Sequence, residues 1–234
     1  MILSIVIPVY NEGGNIRECL SAISSEVKYG HEILTVYDFD EDTTLPVVRE
    51  LEIPCVTLVK NKYGRGVLNA IKTGLESAQG KYVIVTMADL SDPPSVMNAM
   101  IDTAERGNAS VVCASRYMKG GRQIGGPFLK GLMSRTAGLT LHWFAGLPVH
   151  DATNSFKLYR REYLDSVKIE SSGGFELGIE LTVKAYVRGL VVSEVPTTWR
   201  DRTDGESHFK IMKWLPGYLR WYFYAFRRRF SWRH

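Results

Sequence analysis

Hydrophobic and polar positions alternate between two periods along the first half of the chain. Short runs rich in β-branched residues predict strands near residues 2–9, 32–37, 55–59, 81–86 and 109–114. Segments with helical spacing of apolar residues lie between them and predict helices near 14–26, 43–51, 66–78 and 94–106. Because strands and helices take turns, we expect an α/β domain with right-handed crossovers and a mainly parallel sheet covered on both faces.

The pattern becomes less regular after residue 116. Four glycines between residues 120 and 126 predict a flexible segment. Further on, the sequence predicts a helix near 128–145, a strand near 153–159, a helix near 176–188, a strand near 190–198 and a polar loop over 200–209. We therefore expect one domain over residues 1–209, built from two halves, 1–115 and 116–209, and followed by a tail over 210–234.

Composition fits one globular domain in a reducing compartment. The chain has 234 residues, of which 45% are hydrophobic and 23% are charged, so it can bury a core. Cys19, Cys55 and Cys113 are odd in number and far apart, which favours a cytoplasmic location over a disulfide framework. Residues 2–9 are too short to cross a bilayer and lack the features of a signal peptide, so we interpret them as a buried strand.

The tail differs from the rest of the chain in charge. Its 25 residues include seven Lys or Arg and no acidic residue, whereas the whole chain has a net charge of +4. Aromatic and aliphatic residues lie between these cations, a mixture typical of helices in the headgroup region of an anionic membrane. Pro216 and Arg220 interrupt the apolar stretch, so the sequence predicts peripheral association at the cytosolic face. The alternatives are a helix packed on the body or a basic face for nucleic acid, but nothing else resembles a nucleic-acid module.

Acidic residues follow two of the predicted strands. Asp38, Asp40 and Asp42 come after one strand, and Asp89 and Asp92 come after another. Because the carboxyl ends of parallel strands meet at one edge of a sheet, we expect these carboxylates to gather there. Such a cluster favours the binding of a divalent cation and a nucleotide.

Six segments occur in the order found in a known enzyme family. They are IVIPVYNE (5–12), DFDED (38–42), ADLSDPP (88–94), SRY (115–117), DATNSFKLY (151–159) and RTDGES (202–207). Together they resemble family 2 glycosyltransferases of the GT-A fold, and in particular the polyprenyl-phosphate glycosyltransferases that include dolichyl-phosphate mannose synthases. The similarity covers residues 1 to about 209.

The resemblance implies a nucleotide-sugar site in the first half. The positions that match the family's nucleotide-sugar site are Pro8, Tyr10, Asn11, Glu12, Asp38, Asp40, Ala88 and Asp89. Asp38 would contact the base or the ribose, and Asp89 would hold Mg²⁺ or Mn²⁺ together with Ser91, which replaces the family's glutamine. The alternative for this segment is a turn and a helix start, with Asp92 as the cap.

The resemblance also implies a phosphate-binding site in the second half. The matching polar and basic positions are Arg116, Lys130, Ser134, Arg135, Arg202 and Ser207. Arginine suits this role because it binds phosphate oxygens through two parallel hydrogen bonds. Solvated surface cations are the alternative for Lys130 and Arg135. Arg202 lies in a loop with Gly205 and Ser207 that could close over bound phosphates.

The implied activity is inverting, metal-dependent transfer of a hexose from a nucleotide diphosphate sugar, GDP- or UDP-hexose, to a polyprenyl phosphate. Asp89 and Arg202 would support departure of the diphosphate. A phosphate acceptor is already anionic and needs no base, whereas a hydroxyl acceptor would need one, for which Asp151 is the candidate. Asp151 could equally cap a loop. The alternatives are a saccharide or other hydroxyl acceptor, or a non-catalytic relative, because Tyr37 and Met87 replace family aspartates.

Overall fold

The computed structural model describes residues 1–201 and 211–227, and of residues 211–214 only the backbone. Five strands of the first half are β1 (Leu3–Pro8), β2 (His31–Tyr37), β3 (Val56–Lys60), β4 (Tyr82–Val85) and β5 (Val111–Ser115). The helices between them are α1 (Ile16–Glu26), α2 (Thr44–Leu51), α3 (Val67–Ser77) and α4 (Val96–Gly107). Every predicted element of this half is therefore present, with boundaries that differ by only a few residues.

The remaining elements lie in the second half and in the tail. They are β6 (Arg122–Ile124), α5 (Phe128–Thr140), β7 (Lys157–Arg160), α6 (Arg161–Ser166), α7 (Leu177–Val187), β8 (Val192–Pro196), β9 (Thr198–Arg200) and α8 (Ile211–Tyr224). One π-helical turn, Leu141–Ala145, continues α5. The strand predicted from residue 153 begins only at Lys157, because the preceding residues turn around the carboxylate of Asp151. The strand predicted over 190–198 is divided into β8 and β9, and β6 and α6 were not predicted.

The main sheet has seven strands in the order β3-β2-β1-β4-β7-β5-β8. Strands β3, β2, β1 and β4 are mutually parallel, β5 is parallel to β8, and β7 is antiparallel to both of its neighbours. A separate sheet contains β6 and β9. The prediction of a mainly parallel sheet is confirmed, and the carboxyl ends of β1, β2, β4 and β5 lie at one edge.

Helices cover both faces of the sheet. Buried side chains of α3 and α7 form one hydrophobic cluster, and those of α1 and α4 form another on the opposite face. Gly74 allows α3 to lie directly on the sheet, since a Cβ at this position would be 2.2 Å from Cγ1 of Val6. This packing fixes the loops that follow the parallel strands.

The C-terminal helix α8 packs against α7. The Trp221 side chain is 1% exposed, and its Nε1 donates a hydrogen bond to Oγ of Ser171 at 3.2 Å. The side-chain cations of Lys184 and Arg220 each lie 4.7 Å from the Trp221 ring. This helix therefore belongs to the folded body. None of the helices within 1–201 and 211–227 combines the length and apolar character needed to cross a membrane.

Candidate active site

The loop after β1 is tied to the loop after β2. Asn11 adopts φ 55°, which asparagine tolerates, and its backbone N–H donates to Oδ2 of Asp42 at 3.1 Å. The N–H of Glu12 donates to Oγ1 of Thr44 at 2.9 Å. Asp42 is buried and also accepts from the N–H of Thr44. The sequence placed Asp42 in an acidic cluster, whereas the structure shows that it holds the loop carrying Tyr10, Asn11 and Glu12.

The other two carboxylates after β2 also have partners. Asp38 accepts from Nδ2 of Asn61 at 2.7 Å and from the N–H of Gly66 at 2.9 Å. Asp40 forms an exposed ion pair with Lys60 at 2.6 Å. Among residues 1–201 and 211–227 there is no group of three or more His, Cys, Asp or Glu side chains arranged to hold a metal ion. Within these residues, the carboxylates that follow β2 and β4 are therefore not gathered into one group of three that could hold a metal ion.

The loop after β4 carries the remaining acidic pair. The Asp89 carboxylate accepts from the N–H of Ser91 at 3.1 Å, and the carbonyl of Ser91 accepts from the N–H of Arg200 at 2.8 Å. Asp92 accepts hydrogen bonds from Asn154 and from Thr197, at 3.4 and 3.1 Å. Burial raises the pKa of Asp92 to about 6. These bonds connect the acidic loop to the second half of the domain, so both halves build one site.

A cavity of about 440 Å³ lies at this edge of the sheet. One wall contains Asp89, Ser91 and Asp92 from the loop after β4. The remaining walls come from α5, from residues 153–156 and from α8. The cavity thus has an acidic wall from the first half of the domain and a mixed basic and apolar wall from the second half.

The basic wall is organised around Arg116, which directly follows β5. Its Nε donates to Oδ2 of Asp151 at 2.7 Å and its Nη2 to Oδ1 at 3.1 Å, so the pair is bidentate. The Arg116 side chain is 11% exposed and that of Asp151 is 0% exposed. Burial opposes ionisation of Asp151, but the positive charge and hydrogen bonds of Arg116 lower the pKa of this carboxyl below its usual value. Nη2 of Arg116 also donates to Ser134 and to Thr153.

This geometry changes the interpretation of Asp151. A general base needs access to the acceptor and a pKa near the working pH. Asp151 is fully buried, paired with Arg116, and has a lowered pKa. It fits the capping alternative and the positioning of Arg116 better than it fits proton abstraction.

The other predicted phosphate-binding residues are distributed unevenly. Lys130 and Ser134 line the cavity from α5, whereas Arg135 is exposed and is not part of its lining. Arg202 and Ser207 lie outside the described residues. Five residues of the predicted site therefore line one cavity, namely Asp89, Ser91, Arg116, Lys130 and Ser134.

Comparison with known proteins identifies the family. The model of glycosyl transferase family 2 matches residues 4–168, which is more than half of the chain. The chain belongs to glycosyl transferase family 2. Its membership confirms the resemblance found in the six sequence segments and confirms that the chain is related to glycosyltransferases.

Two curated members of the family are similar over most of this chain. Dolichol-phosphate mannosyltransferase of Pyrococcus furiosus is 31% identical over 216 residues, which are 90% of this chain and 60% of that protein. Polyprenol monophosphomannose synthase of Mycolicibacterium smegmatis is 30% identical over 230 residues, 90% of this chain and 85% of that protein. The chain thus spans about three fifths of the first relative's length and most of the second's.

Solved structures show the same fold. Glucosyl-3-phosphoglycerate synthase from Mycobacterium tuberculosis, in complex with Mn²⁺, UDP and glucosyl-3-phosphoglycerate, superimposes with a TM-score of 0.71 at 16% identity, over 97% of this chain and 79% of that chain. S. aureus TarS, residues 1–349, gives a TM-score of 0.61 at 17% identity, over 86% and 60% of the two chains. The expectation of a GT-A fold is confirmed.

Family membership does not reveal every residue that lines the site. Trp199 and Asp201 after β8, Phe175 before α7, and Leu215 and Tyr218 of α8 also line the cavity. No spacing pattern along the sequence points to them, because they come from three separate segments that only the fold brings together. Trp199 could have been noticed as a tryptophan in a short strand next to the polar 200–209 loop.

Proposed function

We propose that this family 2 member transfers a hexose from a nucleotide diphosphate sugar to the phosphate of a polyprenyl lipid, with inversion at the anomeric carbon. The observation that carries the proposal is that one cavity is lined by Asp89 from the first half and by Arg116 and Lys130 from the second half. The two curated relatives support it, since their names refer to dolichol phosphate and to polyprenol monophosphomannose.

The donor side of the cavity fits a divalent cation that is held partly by substrate. Asp89 supplies a carboxylate, and Ser91 beside it supplies a hydroxyl oxygen. Magnesium-type sites commonly use one or two carboxylates, with substrate phosphates and water completing the shell. We infer that Asp89 and Ser91 would hold Mg²⁺ or Mn²⁺. When bound, the cation would neutralise the charge that develops on the departing diphosphate.

The acceptor side fits an anion that needs no general base. A phosphate monoester is anionic at neutral pH, so its oxygen can attack the anomeric carbon directly. The Arg116–Asp151 pair has no net charge, and it acts on the acceptor mainly through directed N–H donors. Lys130, which lines the cavity from α5, would add a compact positive charge to this wall. The absence of an available base in the Arg116–Asp151 pair favours a phosphate over a hydroxyl acceptor.

The lipid part of the acceptor fits the surface around α5 and α8, which we call the apolar rim. Its exposed apolar residues are Phe128, Leu129, Leu132, Trp143, Phe144, Leu219 and Phe223. The two helices are joined by a hydrogen bond from the hydroxyl of Tyr222 to Oγ1 of Thr140 at 3.0 Å. Both helices also line the cavity. The apolar rim and the basic tail support peripheral association with a membrane, where an acceptor lipid would be reached.

The test is transfer with defined acceptors. Purified protein with Mg²⁺ or Mn²⁺ should move the hexose of GDP- or UDP-hexose to a short polyprenyl phosphate. Asp89→Asn should lower transfer by at least about a hundredfold, as loss of a charge-stabilising group does, and should weaken Mn²⁺ binding measured by electron paramagnetic resonance. Asp165→Asn, an exposed carboxylate of α6, is the matched control and should leave both unchanged. Transfer to a saccharide but not to the lipid phosphate would refute the proposed acceptor.

A further inference from the structure

Three residues that are far apart in the sequence meet at one carboxylate oxygen. Oδ1 of Asp92, in the loop after β4, accepts a hydrogen bond from Oγ1 of Thr197 at 3.1 Å and another from Nδ2 of Asn154 at 3.4 Å. Thr197 and Asn154 are both buried. We call these three residues the latch. Hydrogen bonds to a charged group are stronger than bonds between neutral groups, and exclusion of water strengthens them further.

Both partners of this carboxylate are also bound to the end of β5. The N–H of Thr197 donates to the carbonyl of Ser115 at 3.1 Å, and Nδ2 of Asn154 donates to the carbonyl of Ala114 at 3.1 Å. Arg116, around which the basic wall is organised, is the next residue of the chain. The latch therefore joins the acidic loop to the strand end that carries the basic wall.

The segment before the latch has an unfavourable backbone conformation. Leu90, between Asp89 and Ser91, has φ 54°, which lies in the left-handed region that leucine rarely adopts. Such a conformation persists only where the surrounding structure holds it. Leu90 packs against the hydrophobic cluster that includes α1 and α4, and the carbonyl of Ser91 accepts from the N–H of Arg200 at 2.8 Å. The latch adds an attachment directly after Ser91.

The orientation of this segment matters because it offers few ligands to the cation of the proposed function. Asp89 supplies a carboxylate and Ser91 a hydroxyl oxygen, whereas Met87 replaces a family aspartate. Mg²⁺ tolerates little deviation in the placement of its ligands. Removing a group that orients a metal ligand commonly lowers metal affinity by about ten- to a hundredfold. A side chain that fixes this loop should therefore control the affinity of the site for the cation.

We propose that Thr197 is a positioning residue for the divalent-cation site and acts through Asp92. The hydroxyl of Thr197 holds the Asp92 carboxylate, and this carboxylate fixes the end of the Asp89–Ser91 segment. The inference rests on the proposed function, because it requires a cation at Asp89. Asp92 lines the cavity, whereas Thr197 is not part of its lining, so the hydroxyl reaches the site only through its carboxylate partner.

The experiment compares two substitutions at position 197. Thr197→Val keeps the shape of the side chain and removes the hydroxyl, whereas Thr197→Ser keeps the hydroxyl. Electron paramagnetic resonance measures the affinity of the full chain for Mn²⁺ in the presence of GDP and, separately, of UDP. Thr197→Val should weaken Mn²⁺ binding about tenfold, as loss of an orienting group does. Thr197→Ser should bind Mn²⁺ as the wild type does.

Thr182→Val is the matched control. Thr182 is fully buried, and its hydroxyl donates to the carbonyl of Gly178 at 2.7 Å within α7. Loss of either buried hydroxyl removes a hydrogen bond, so both valine variants should have a lower free energy of unfolding in urea. Only Thr197→Val should change the affinity for Mn²⁺. This comparison separates displacement of the loop from a general loss of stability.

The route through Asp92 is tested by a double-mutant cycle. Asp92→Ala removes the carboxylate that the Thr197 hydroxyl binds, and it should weaken Mn²⁺ binding. Adding Thr197→Val to Asp92→Ala should cause no further loss. Additive losses would overturn the route through Asp92. A loss in Asp92→Ala as large as that in Asp89→Asn would make Asp92 a cation ligand and would also overturn its positioning role.

The outcomes separate this inference from the proposed function. Equal Mn²⁺ affinity in folded Thr197→Val and in the wild type, with binding still lost in Asp89→Asn, would overturn the latch and leave the glycosyltransferase proposal intact. Equal weakening by Thr197→Val and Thr197→Ser would also overturn the latch, because the hydroxyl would not be responsible. Failure of folded wild-type protein to bind Mn²⁺ with either nucleotide would overturn both proposals.

Discussion

Replacing Asp151 by asparagine should strongly destabilise the protein. The carboxylate is fully buried and accepts both Nε and Nη2 of Arg116, together with the N–H groups of Thr153 and Asn154. An asparagine keeps the shape and one acceptor oxygen but removes the negative charge. The Arg116 guanidinium then stays almost fully buried without its bidentate partner, and the charge of Asp92 is left as the negative charge that acts on it.

The expected magnitude follows from this burial. Removing one partner of a buried ion pair costs about 3–5 kcal/mol, because the remaining charge is desolvated and unpaired. That loss is a large part of the total stability of an ordinary domain. The double variant Arg116→Met/Asp151→Leu removes both charges, and it should recover at least about 2 kcal/mol relative to Asp151→Asn.

The assay is urea unfolding at pH 7, followed by circular dichroism, for the wild type and both variants. Glu50→Gln is the control, since Glu50 and Arg17 form an ion pair whose side chains are more than half exposed, and its loss should cost less than about 1 kcal/mol. The pKa of Asp151 is lowered in the folded protein, so its stabilisation is present above the ordinary carboxyl pKa and is lost as the pH falls through the folded value. The difference between wild type and Asp151→Asn should therefore shrink in acid.

A loss below about 1 kcal/mol for Asp151→Asn would refute this reasoning, because a buried guanidinium that loses its bidentate carboxylate should cost more than that. A stable variant with abolished transfer would instead favour the role of general base. The double variant distinguishes charge from packing, since a defect of packing alone would not be relieved by removing Arg116.

Two further predictions concern other parts of the site. Burial raises the pKa of Asp92 from 3.8 to about 6, so the folded state binds this proton more tightly and the free energy of unfolding should fall as the pH rises between these values. Urea titrations at pH 4, 5, 6 and 7 should show this fall for the wild type and not for Asp92→Asn. The same pH profile in both proteins would contradict the prediction. Phe128→Ser/Phe223→Ser should weaken binding to anionic phospholipid vesicles at least about tenfold, because each exposed ring would bury apolar area worth about 1.5–3 kcal/mol. Tyr63→Ser, which removes a 51% exposed ring that is not one of the rim residues, is the control. Equal vesicle binding by the double variant would exclude the rim from the membrane contact.

The sequence predicted the parallel part of the fold because its periodicity is local. Each strand of the first half is a short run rich in β-branched or other apolar residues, and each helix has an amphipathic spacing. Neighbouring residues were therefore sufficient to predict these elements. The positions of Asp89 and Tyr10 at strand ends followed from this pattern. The antiparallel strand β7 could not be predicted in the same way, since its place between β4 and β5 depends on pairing across more than 40 residues.

The partners of charged side chains were the main part of the site that the sequence could not supply. Asp38, Asp40 and Asp42 look alike in the sequence, yet they contact the Arg65 loop, Lys60 and the Asn11 loop respectively. The role of a carboxylate depends on which N–H groups the fold places within hydrogen-bond distance of it, and amino-acid composition does not specify those groups. For the same reason Asp151 could be proposed equally as base or cap until Arg116 was placed beside it.

Helix α8 shows why a deletion of the C-terminal region cannot separate its membrane role from its acceptor role. Leu215 and Tyr218 line the cavity, Trp221 is buried against α7, and Phe223 is 65% exposed. Deleting this region would remove a cavity wall and uncover the apolar surface beneath Trp221, so lost transfer would not report on membrane binding. Substitutions confined to the exposed face avoid this ambiguity, because they alter the surface that would meet a lipid, while the buried Trp221 still holds α8 on the body.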